Sequence, residues 1–491
     1  MEKESLKNKT VKGVGWSAAD AFGGQGVMFL VGLVLARLLS PEEYGLIGIV
    51  TIFTTMMLGI VDSGFSNSLI RKQKVTDDDY CTLFIFNLAV SVVMYALLFW
   101  GAPLIARFFE RPQLVALVRV MGLLLIIQSL SIVQMTRLSR NIDFKTKTKA
   151  SVISAVSSGT VGISMAFMGY GVWSLVGQQL TRQMVYSGCL WVYNRWIPRL
   201  KFNMDSVRYM WGFGWKLLLS GLLNNLWGEL KKVVVSKFYS PFTLGQYTKA
   251  FEYSKIFSSN FTSIIQRVTY PALAHVQDDK TRLVNAYRKM IKMTMFVTVI
   301  SMFFLGAISE PLIYCLIGSK WYIASTYLPI ICIYRSLYPL QAINLNMLQV
   351  QGRTDVFLYL EIIKKTILLV PLFVGAFVGI YWMLVTSILT SIIFFFLNSY
   401  YSGKWINYTS WMQLKDVAPS YGLATLIAIS VYFLKYIPVT YWVVLPMQIV
   451  LGAVVFFLVT HKMEEYKEVK SMVMPAMKKF KKVIVGQYIK R

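Results

Sequence analysis

Charged side chains inside apolar stretches are the residues of this chain that could do chemistry. Lys216, Lys255, Arg335 and Arg182 fall near the middle of such stretches, and Lys249 lies nearer one end. Arginine offers a planar fork of donors and lysine a compact point charge, and both bind phosphate. If these cations converge, they form a binding site for an anion that carries phosphates.

A second pattern is a polar stripe along the apolar stretch 243–274. Its members recur at spacings of three and four residues and are Glu252, Lys255, Ser259, Thr262, Ser263 and Gln266. The stretch before it carries Lys216, Ser220 and Asn224 in the same way. Lipid cannot solvate such a face, so we predict that Asn224, Ser259 and Gln266 line a cavity. Two alternatives remain open. The first is hydrogen bonding between packed helices. The second is that each cation pairs with Glu252, Glu229 or Asp20, and Glu252 is close in sequence to both Lys249 and Lys255.

Three carboxylates inside apolar stretches are candidates for coupling to a proton or Na⁺: Asp20, Asp62 and Glu252. The chain contains no GxxxxGK[ST] loop, and its two histidines lie far apart in sequence. We therefore predict neither ATP hydrolysis nor a metal site, and no cofactor. Asp77, Asp78 and Asp79 resemble a metal-binding DxD motif, but they follow Thr76 at the start of an apolar stretch, which favours a helix cap.

Composition sets the class of protein. Hydrophobic residues make up 56% of the chain, the mean hydropathy is +0.55, and apolar runs long enough to span a bilayer recur. These runs do not alternate as barrel strands would. The sequence predicts an all-α polytopic membrane protein. Its net charge of +27 does not indicate nucleic-acid binding, since basic residues of membrane proteins concentrate in cytoplasmic loops.

We predict about fourteen transmembrane helices. Their approximate limits are 11–38, 43–68, 80–106, 113–136, 147–168, 171–194, 207–236, 243–274, 290–317, 322–350, 356–379, 381–402, 416–435 and 441–460.

The distribution of Lys and Arg predicts the orientation of these helices. The connections on the side of the two termini are strongly basic, whereas the opposite ends carry only Arg37, Arg107, Arg111, Lys237, Lys320 and Lys435. Positive residues mark the cytoplasmic side, so both termini are predicted to be cytoplasmic. All connections on the outer side are short. We therefore expect no soluble catalytic domain and no enzyme activity.

Landmarks in the first half of the chain return about 200 residues later. The first landmark, Gly13-Val14-Gly15-Trp16, returns as Gly212-Phe213-Gly214-Trp215. The second, Ser40-Pro41 followed by Gly45, returns as Ser240-Pro241 followed by Gly245. The third, Asp77-Asp78, returns as Asp278-Asp279. The repeat predicts two pseudo-symmetric six-helix lobes, 1–202 and 203–403, around a central cavity. Residues 404–461 would form an accessory helix pair. The basic tail 462–491 is interpreted either as an amphipathic helix on an anionic inner leaflet or as a disordered segment.

Several runs of residues resemble the Wzx-type polysaccharide and O-antigen flippases of the multidrug, oligosaccharidyl-lipid and polysaccharide exporter superfamily. They are Leu39-Ser40-Pro41-Glu42-Glu43-Tyr44-Gly45, Val61-Asp62-Ser63-Gly64-Phe65-Ser66-Asn67-Ser68-Leu69-Ile70-Arg71 and Thr76-Asp77-Asp78-Asp79-Tyr80. The resemblance covers roughly residues 5 to 400. It implies two six-helix lobes, a cationic cavity, a lipid-linked glycan as substrate, and a place in the bacterial cytoplasmic (inner) membrane. It also implies a contact with the polysaccharide polymerase machinery.

Translocation of a polyprenyl-diphosphate-linked oligosaccharide, for surface polysaccharide or lipopolysaccharide biosynthesis, is the function that this reasoning favours. Its charged head cannot cross about 30 Å of hydrocarbon unaided. A cationic cavity that opens alternately to each side would carry it across. Two alternatives remain: a drug or small-solute antiporter of the same superfamily, and a membrane-embedded glycosyltransferase or polymerase.

Overall fold

The computed structural model describes residues 23–62, 64–199, 201–260, 262, 273, 276–461, 463 and 465–468. Its Cα packing divides the chain into two compact units, Met1–Thr248 and Lys249–Arg491. The predicted lobe boundary lies earlier, at 202/203, and the division into lobes, accessory pair and tail stays a prediction. Most of the tail 462–491 lies outside the described residues.

The first unit consists of helices joined by short connections. They are α1 (Gly23–Leu38), α2 (Pro41–Asp62), α3 (Phe65–Arg71), α4 (Asp77–Phe108), α5 (Leu114–Arg140), α6 (Phe144–Phe167), α7 (Val172–Asn194) and α8 (Met204–Phe238). Neighbours along the chain pack in pairs, α4 against α5 and α6 against α7. Small residues allow close approach: a methyl group on Gly159 would lie 2.5 Å from Val31 Cγ2.

Helix α9 (Pro241–Lys255) begins in the first unit and ends in the second, where a π-helical turn, Ile256–Asn260, continues it. The second unit then contains α10 (Lys280–Ala307), α11 (Ser309–Ile317), α12 (Tyr322–Ser336), α13 (Tyr338–Val350), α14 (Thr354–Ile367), α15 (Leu369–Phe377), α16 (Ile380–Lys404), α17 (Ser410–Tyr432) and α18 (Tyr441–Thr460).

The prediction of an all-α polytopic membrane protein is confirmed. Within the described residues, eight helical segments are long and apolar enough to cross a membrane, and one of them, Pro41–Arg71, combines α2 and α3. Several predicted spans are broken in two. Span 43–68 breaks at Gly64, whose φ of 67° is a left-handed conformation that suits glycine. Span 322–350 breaks at Leu337, just before Pro339, because proline cannot donate the backbone bond that a continuous helix needs.

Helix α4 begins with the cap that its sequence indicated. The Thr76 hydroxyl accepts a hydrogen bond from the Asp79 backbone N–H at 3.3 Å, and the Asp79 carboxylate accepts one from the Thr76 N–H at 2.9 Å. The same carboxylate accepts bonds from Lys72 at 2.8 Å and from Ser206 at 2.7 Å. The interpretation as a helix cap is therefore confirmed, and the cap is a capping box formed by Thr76 and Asp79.

Polar contacts join the last helices to the rest of the second unit. Arg288 of α10 forms an ion pair with Asp416 of α17, and Tyr408 donates to the same carboxylate at 2.8 Å. Near the other end of these helices, Glu310 of α11 accepts bonds from Lys435 at 3.2 Å and Tyr441 at 2.6 Å. The start of α17 is thereby joined to α10, and Lys435 of the connection after α17 and the start of α18 are joined to α11.

Candidate functional site

Arg335 is the predicted cation with the most defined surroundings. It lies in the last turn of α12, and the residue is only 8% exposed. Its Nε donates to Ser258 Oγ at 2.8 Å, and its Nη2 donates to Ser259 Oγ. The guanidinium also lies 4.5 Å from the ring centroid of Phe251. Thus Arg335 and Ser259, both predicted as site residues, lie together.

The π-helical turn explains how two consecutive serines reach one arginine. A π turn inserts an extra residue into the helix, so that side chains beyond it rotate relative to those before it. Ser258 Oγ donates to the Ser254 carbonyl at 3.0 Å, which keeps its hydroxyl on the Arg335 side. Such turns occur frequently at functional sites.

Charge balance around Arg335 is unusual for a buried arginine. Its hydrogen-bond partners are hydroxyls, and no carboxylate among the described residues forms an ion pair with it. The segment 261–272, which follows the π turn, contains no Asp or Glu in its sequence. A buried cation whose hydrogen-bond partners in the described part of the chain are neutral hydroxyls retains a strong preference for an anion. The arrangement can therefore accept phosphate oxygens from a ligand.

The two lysines of α9 differ in their surroundings. Lys249 is 8% exposed and forms an ion pair with Glu252 at 3.0 Å. Lys255, at the end of the helix, is exposed. The pairing that the sequence left open between Glu252 and either lysine thus occurs with Lys249. The roles of both lysines in substrate binding stay predictions.

The remaining predicted residues are distributed through the first unit or lie outside the description. Arg182 of α7 is exposed and lines a cavity of about 530 Å³ between α2, α5, α6 and α7. Asn224 is exposed on α8. Asp62, at the end of α2, accepts a hydrogen bond from Ser66 Oγ at 3.0 Å. Asp20, Gln266 and the side chain of Lys216 lie outside the described residues.

Two residues of these sites were not predicted. Ser258 is not part of the polar stripe of 243–274, because a period of 3.6 residues places Ser259 on that face and Ser258 away from it. The only sequence signal for Ser258 was the polar run Ser258-Ser259-Asn260. Lys147 was counted with the basic connection before α6, yet it lines the same cavity as Arg182. Its position within the first turn of α6 could have suggested this.

Comparisons with known proteins agree with this architecture. A family model described as "Polysaccharide biosynthesis protein" matches residues 34–326. The succinoglycan biosynthesis transport protein ExoT of Rhizobium meliloti is 27% identical over 65% of this chain and 64% of its own length. The chain thus spans less than two thirds of that relative. The lipopolysaccharide biosynthesis protein WzxC of Escherichia coli is 24% identical over 75% of both chains.

Among solved structures, the inward closed conformation of the lipid II flippase MurJ superposes with a TM-score of 0.74 at 14% identity. The match covers 94% of this chain and all of that chain. An inward-facing MATE multidrug transporter gives a TM-score of 0.59 at 14% identity over 85% of this chain and 98% of the transporter. At these identities the likeness concerns the fold.

Proposed function

Since this chain belongs to the family of polysaccharide biosynthesis proteins, we propose that it moves a polyprenyl-diphosphate-linked oligosaccharide across the bacterial cytoplasmic membrane. One relative is named as a transport protein of succinoglycan biosynthesis and another as a protein of lipopolysaccharide biosynthesis, which supports a transport role in glycan biosynthesis. The observation that carries the proposal is the buried Arg335, whose partners are hydroxyls.

The physical requirement explains the arginine. Each unsatisfied polar group of a sugar diphosphate costs several kcal/mol in hydrocarbon, so the head needs a polar route while its polyprenyl chain stays in the lipid. Arg335 offers a guanidinium that is desolvated before the substrate arrives, which strengthens its attraction to phosphate. Lys216, Lys255, Lys249 and Arg182 would add positive charge to the route, and Asn224, Ser259 and Gln266 would bind its hydroxyls.

Two alternative functions are a drug antiporter and a glycosyltransferase. An antiporter of cationic drugs would be hindered by the buried Arg335, which pairs with no carboxylate of the described residues. A glycosyltransferase would form a glycosidic bond, whereas we propose that this protein moves its substrate without covalent change. Transport would draw on an ion gradient through Asp20, Asp62 or Glu252, or on consumption of the product.

The proposal also includes the setting of the protein. We place both termini in the cytoplasm, the basic tail on the anionic inner leaflet, and the outer ends near the polymerase that receives the glycan.

The test uses the purified full-length protein in vesicles that contain a fluorescent polyprenyl-diphosphate oligosaccharide. Wild-type protein should move the label between leaflets without changing its mass. Arg335→Gln should slow this by about ten- to a hundredfold, since a charge-assisted bond to phosphate contributes roughly 1.5 to 3 kcal/mol. Arg353→Gln is the matched control, because Arg353 pairs with Asp355 outside the long apolar helices.

The outcomes separate the three functions. Elongation of the glycan would show an enzyme, and absence of both movement and elongation would leave the antiporter. If the Arg335→Gln protein moves the substrate at the wild-type rate, Arg335 is not part of the substrate site. An Arg335→Gln protein that melts far below the wild type would indicate that the arginine is structural.

A further inference from the structure

The cavity of about 530 Å³ in the first unit is lined by groups that suit a sugar phosphate. Its volume falls in the range of small-ligand sites, roughly 300 to 1,000 Å³. The side chains that matter here are Lys147, Arg182, Gln128, Gln179, Gln183 and Tyr186. Four helices contribute to the wall, and all four belong to the same compact unit.

The charge of the cavity is positive. Lys147 is half-buried, and its Nζ donates to Ser139 Oγ. Arg182 approaches from α7 on another side. Among the described residues no Asp or Glu lines the cavity. Two cations with no lining carboxylate create a positive potential that a low-dielectric wall intensifies.

The neutral lining complements these charges. Amide groups of Gln128, Gln179 and Gln183 can both donate and accept, as sugar hydroxyls require. Lys147 lies within the first turn of α6, near the connection Asn141–Asp143, whereas Arg182 lies near the middle of α7. The cavity therefore extends from the start of α6 toward the middle of α7. Lys147 lies at the first of these levels and Arg182 at the second.

We propose that this cavity is a separate binding site for the glycosyl diphosphate head of the substrate, in which Lys147 and Arg182 hold the phosphates and the three glutamines bind the sugar. This assignment rests on the proposed function, and it places a complete anion site within the first unit, independent of Arg335. In the proposed orientation the connection before α6 is cytoplasmic, so the site would load the substrate on the side where it is made.

The experiment measures binding of farnesyl diphosphate to the purified full-length protein by isothermal titration calorimetry. It uses the Arg335→Gln background, so that binding at Arg335 does not contribute. Lys147→Gln and Arg182→Gln should each weaken binding about tenfold, since each removes a charge-assisted bond. Lys147→Arg should retain most of the affinity. Lys149→Gln is the control, because Lys149 is exposed on the same helix and does not line the cavity.

Two further ligands identify what is recognised. Inorganic pyrophosphate should compete with farnesyl diphosphate, and farnesol should not bind. If farnesol binds as tightly as farnesyl diphosphate, the assignment is wrong. It is also wrong if Lys147→Gln and Arg182→Gln both bind farnesyl diphosphate as tightly as the Arg335→Gln background does. Melting temperatures of all variants show whether weaker binding comes from unfolding. If Lys147→Gln unfolds, the affinity of Lys147→Arg is the test: retained binding supports the assignment, and lost binding contradicts it.

Failure of this assignment and failure of the proposed function give different results. Normal flipping and binding by Lys147→Gln and Arg182→Gln, with loss in Arg335→Gln, would overturn the cavity site alone. Diphosphate binding that depends on Lys147 and Arg182, in a protein that moves no lipid-linked sugar, would support the site and overturn the flippase.

Discussion

Gly45 and Pro241 lie so close that a methyl group on Gly45 would be 1.7 Å from the Pro241 carbonyl oxygen. The converse contact is equally close, since a methyl group on Gly245 would be 1.9 Å from the carbonyl oxygen of Pro41. These are equivalent positions of two Ser-Pro-x-x-x-Gly sequences about 200 residues apart. Each glycine allows the start of the other helix to approach, and both contacts lie within the first unit.

Gly45→Ala should destabilise the protein. The added methyl group meets backbone atoms, which cannot move aside as a flexible side chain can, so we expect a loss of about 1 to 3 kcal/mol. The measurement is the melting temperature of the purified protein in detergent.

Gly32→Ala is the control for this substitution, because nothing lies within 4 Å of the position that its methyl group would take. Alanine there should leave stability unchanged or raise it by roughly 0.5 to 1 kcal/mol. Equal melting temperatures for Gly45→Ala and Gly32→Ala would contradict the close contact.

The pair Lys249–Glu252 predicts an asymmetry between its two partners. The lysine side chain is 10% exposed and the glutamate side chain 55%. Removal of Glu252 takes the carboxylate from a buried cation, whereas removal of Lys249 leaves a carboxylate that water can solvate. Glu252→Gln should therefore cost roughly 1 to 3 kcal/mol and Lys249→Gln about 0 to 1 kcal/mol.

Abundance and melting temperature of the two single variants and the double variant measure this difference. The double variant should recover much of the loss caused by Glu252→Gln. Lys255→Gln serves as the comparison within α9, and it should retain stability while slowing flipping about tenfold. Normal flipping by Lys255→Gln would remove that lysine from the substrate route.

Coupling to an ion gradient makes a separate prediction. If Asp20, Asp62 or Glu252 binds the coupling proton or Na⁺, its neutral variant should transport at a rate that no longer responds to that gradient, because an amide neither titrates nor attracts a cation. Asp20→Asn, Asp62→Asn and Glu252→Gln are to be compared in vesicles with and without each gradient. Unaltered ion dependence in all three would eliminate these carboxylates.

The orientation of the helices can be measured with a pair of exposed positions. In a variant that lacks Cys81, Cys189, Cys315 and Cys332, Glu42→Cys should react with an impermeant maleimide in intact cells, and Lys145→Cys only after the cells are opened. The basic connections are expected to remain in the cytoplasm. The opposite labelling pattern would reverse the orientation.

Asp416 should be a stabilising residue of the second unit. Its side chain is 5% exposed and pairs with Arg288 and, at 3.5 Å, with Lys292. Asp416→Asn removes the negative charge that both cations contact, so the free energy of unfolding should fall by about 1 to 3 kcal/mol. This loss is smaller than for a fully buried pair because Arg288 is half exposed. Thermal unfolding measures this. Asp205→Asn removes a pair with Arg208 that is almost fully solvated and should change stability little.

Much of the architecture follows from sequence alone, because the signals are local. A run of apolar residues must hydrogen-bond its backbone internally in lipid, which makes it a helix wherever it occurs. The starts of α2 and α9 and the cap at Thr76 follow equally from short patterns of Ser, Pro and Asp. The grouping of Arg335 with Ser259 was also within reach, as a polar residue in a span requires a partner.

The tertiary structure decided which partners meet. Glu252 lies three residues from both Lys249 and Lys255, and the sequence does not show that it pairs with Lys249, which is buried, while Lys255 is exposed. Ser258 joins Ser259 at Arg335 because the π turn shifts the helical register, which no period of 3.6 residues predicts. Lys147 and Arg182 line one cavity because α6 and α7 pack side by side. Such pairings depend on distances between helices, and hydropathy along the chain carries no information about them.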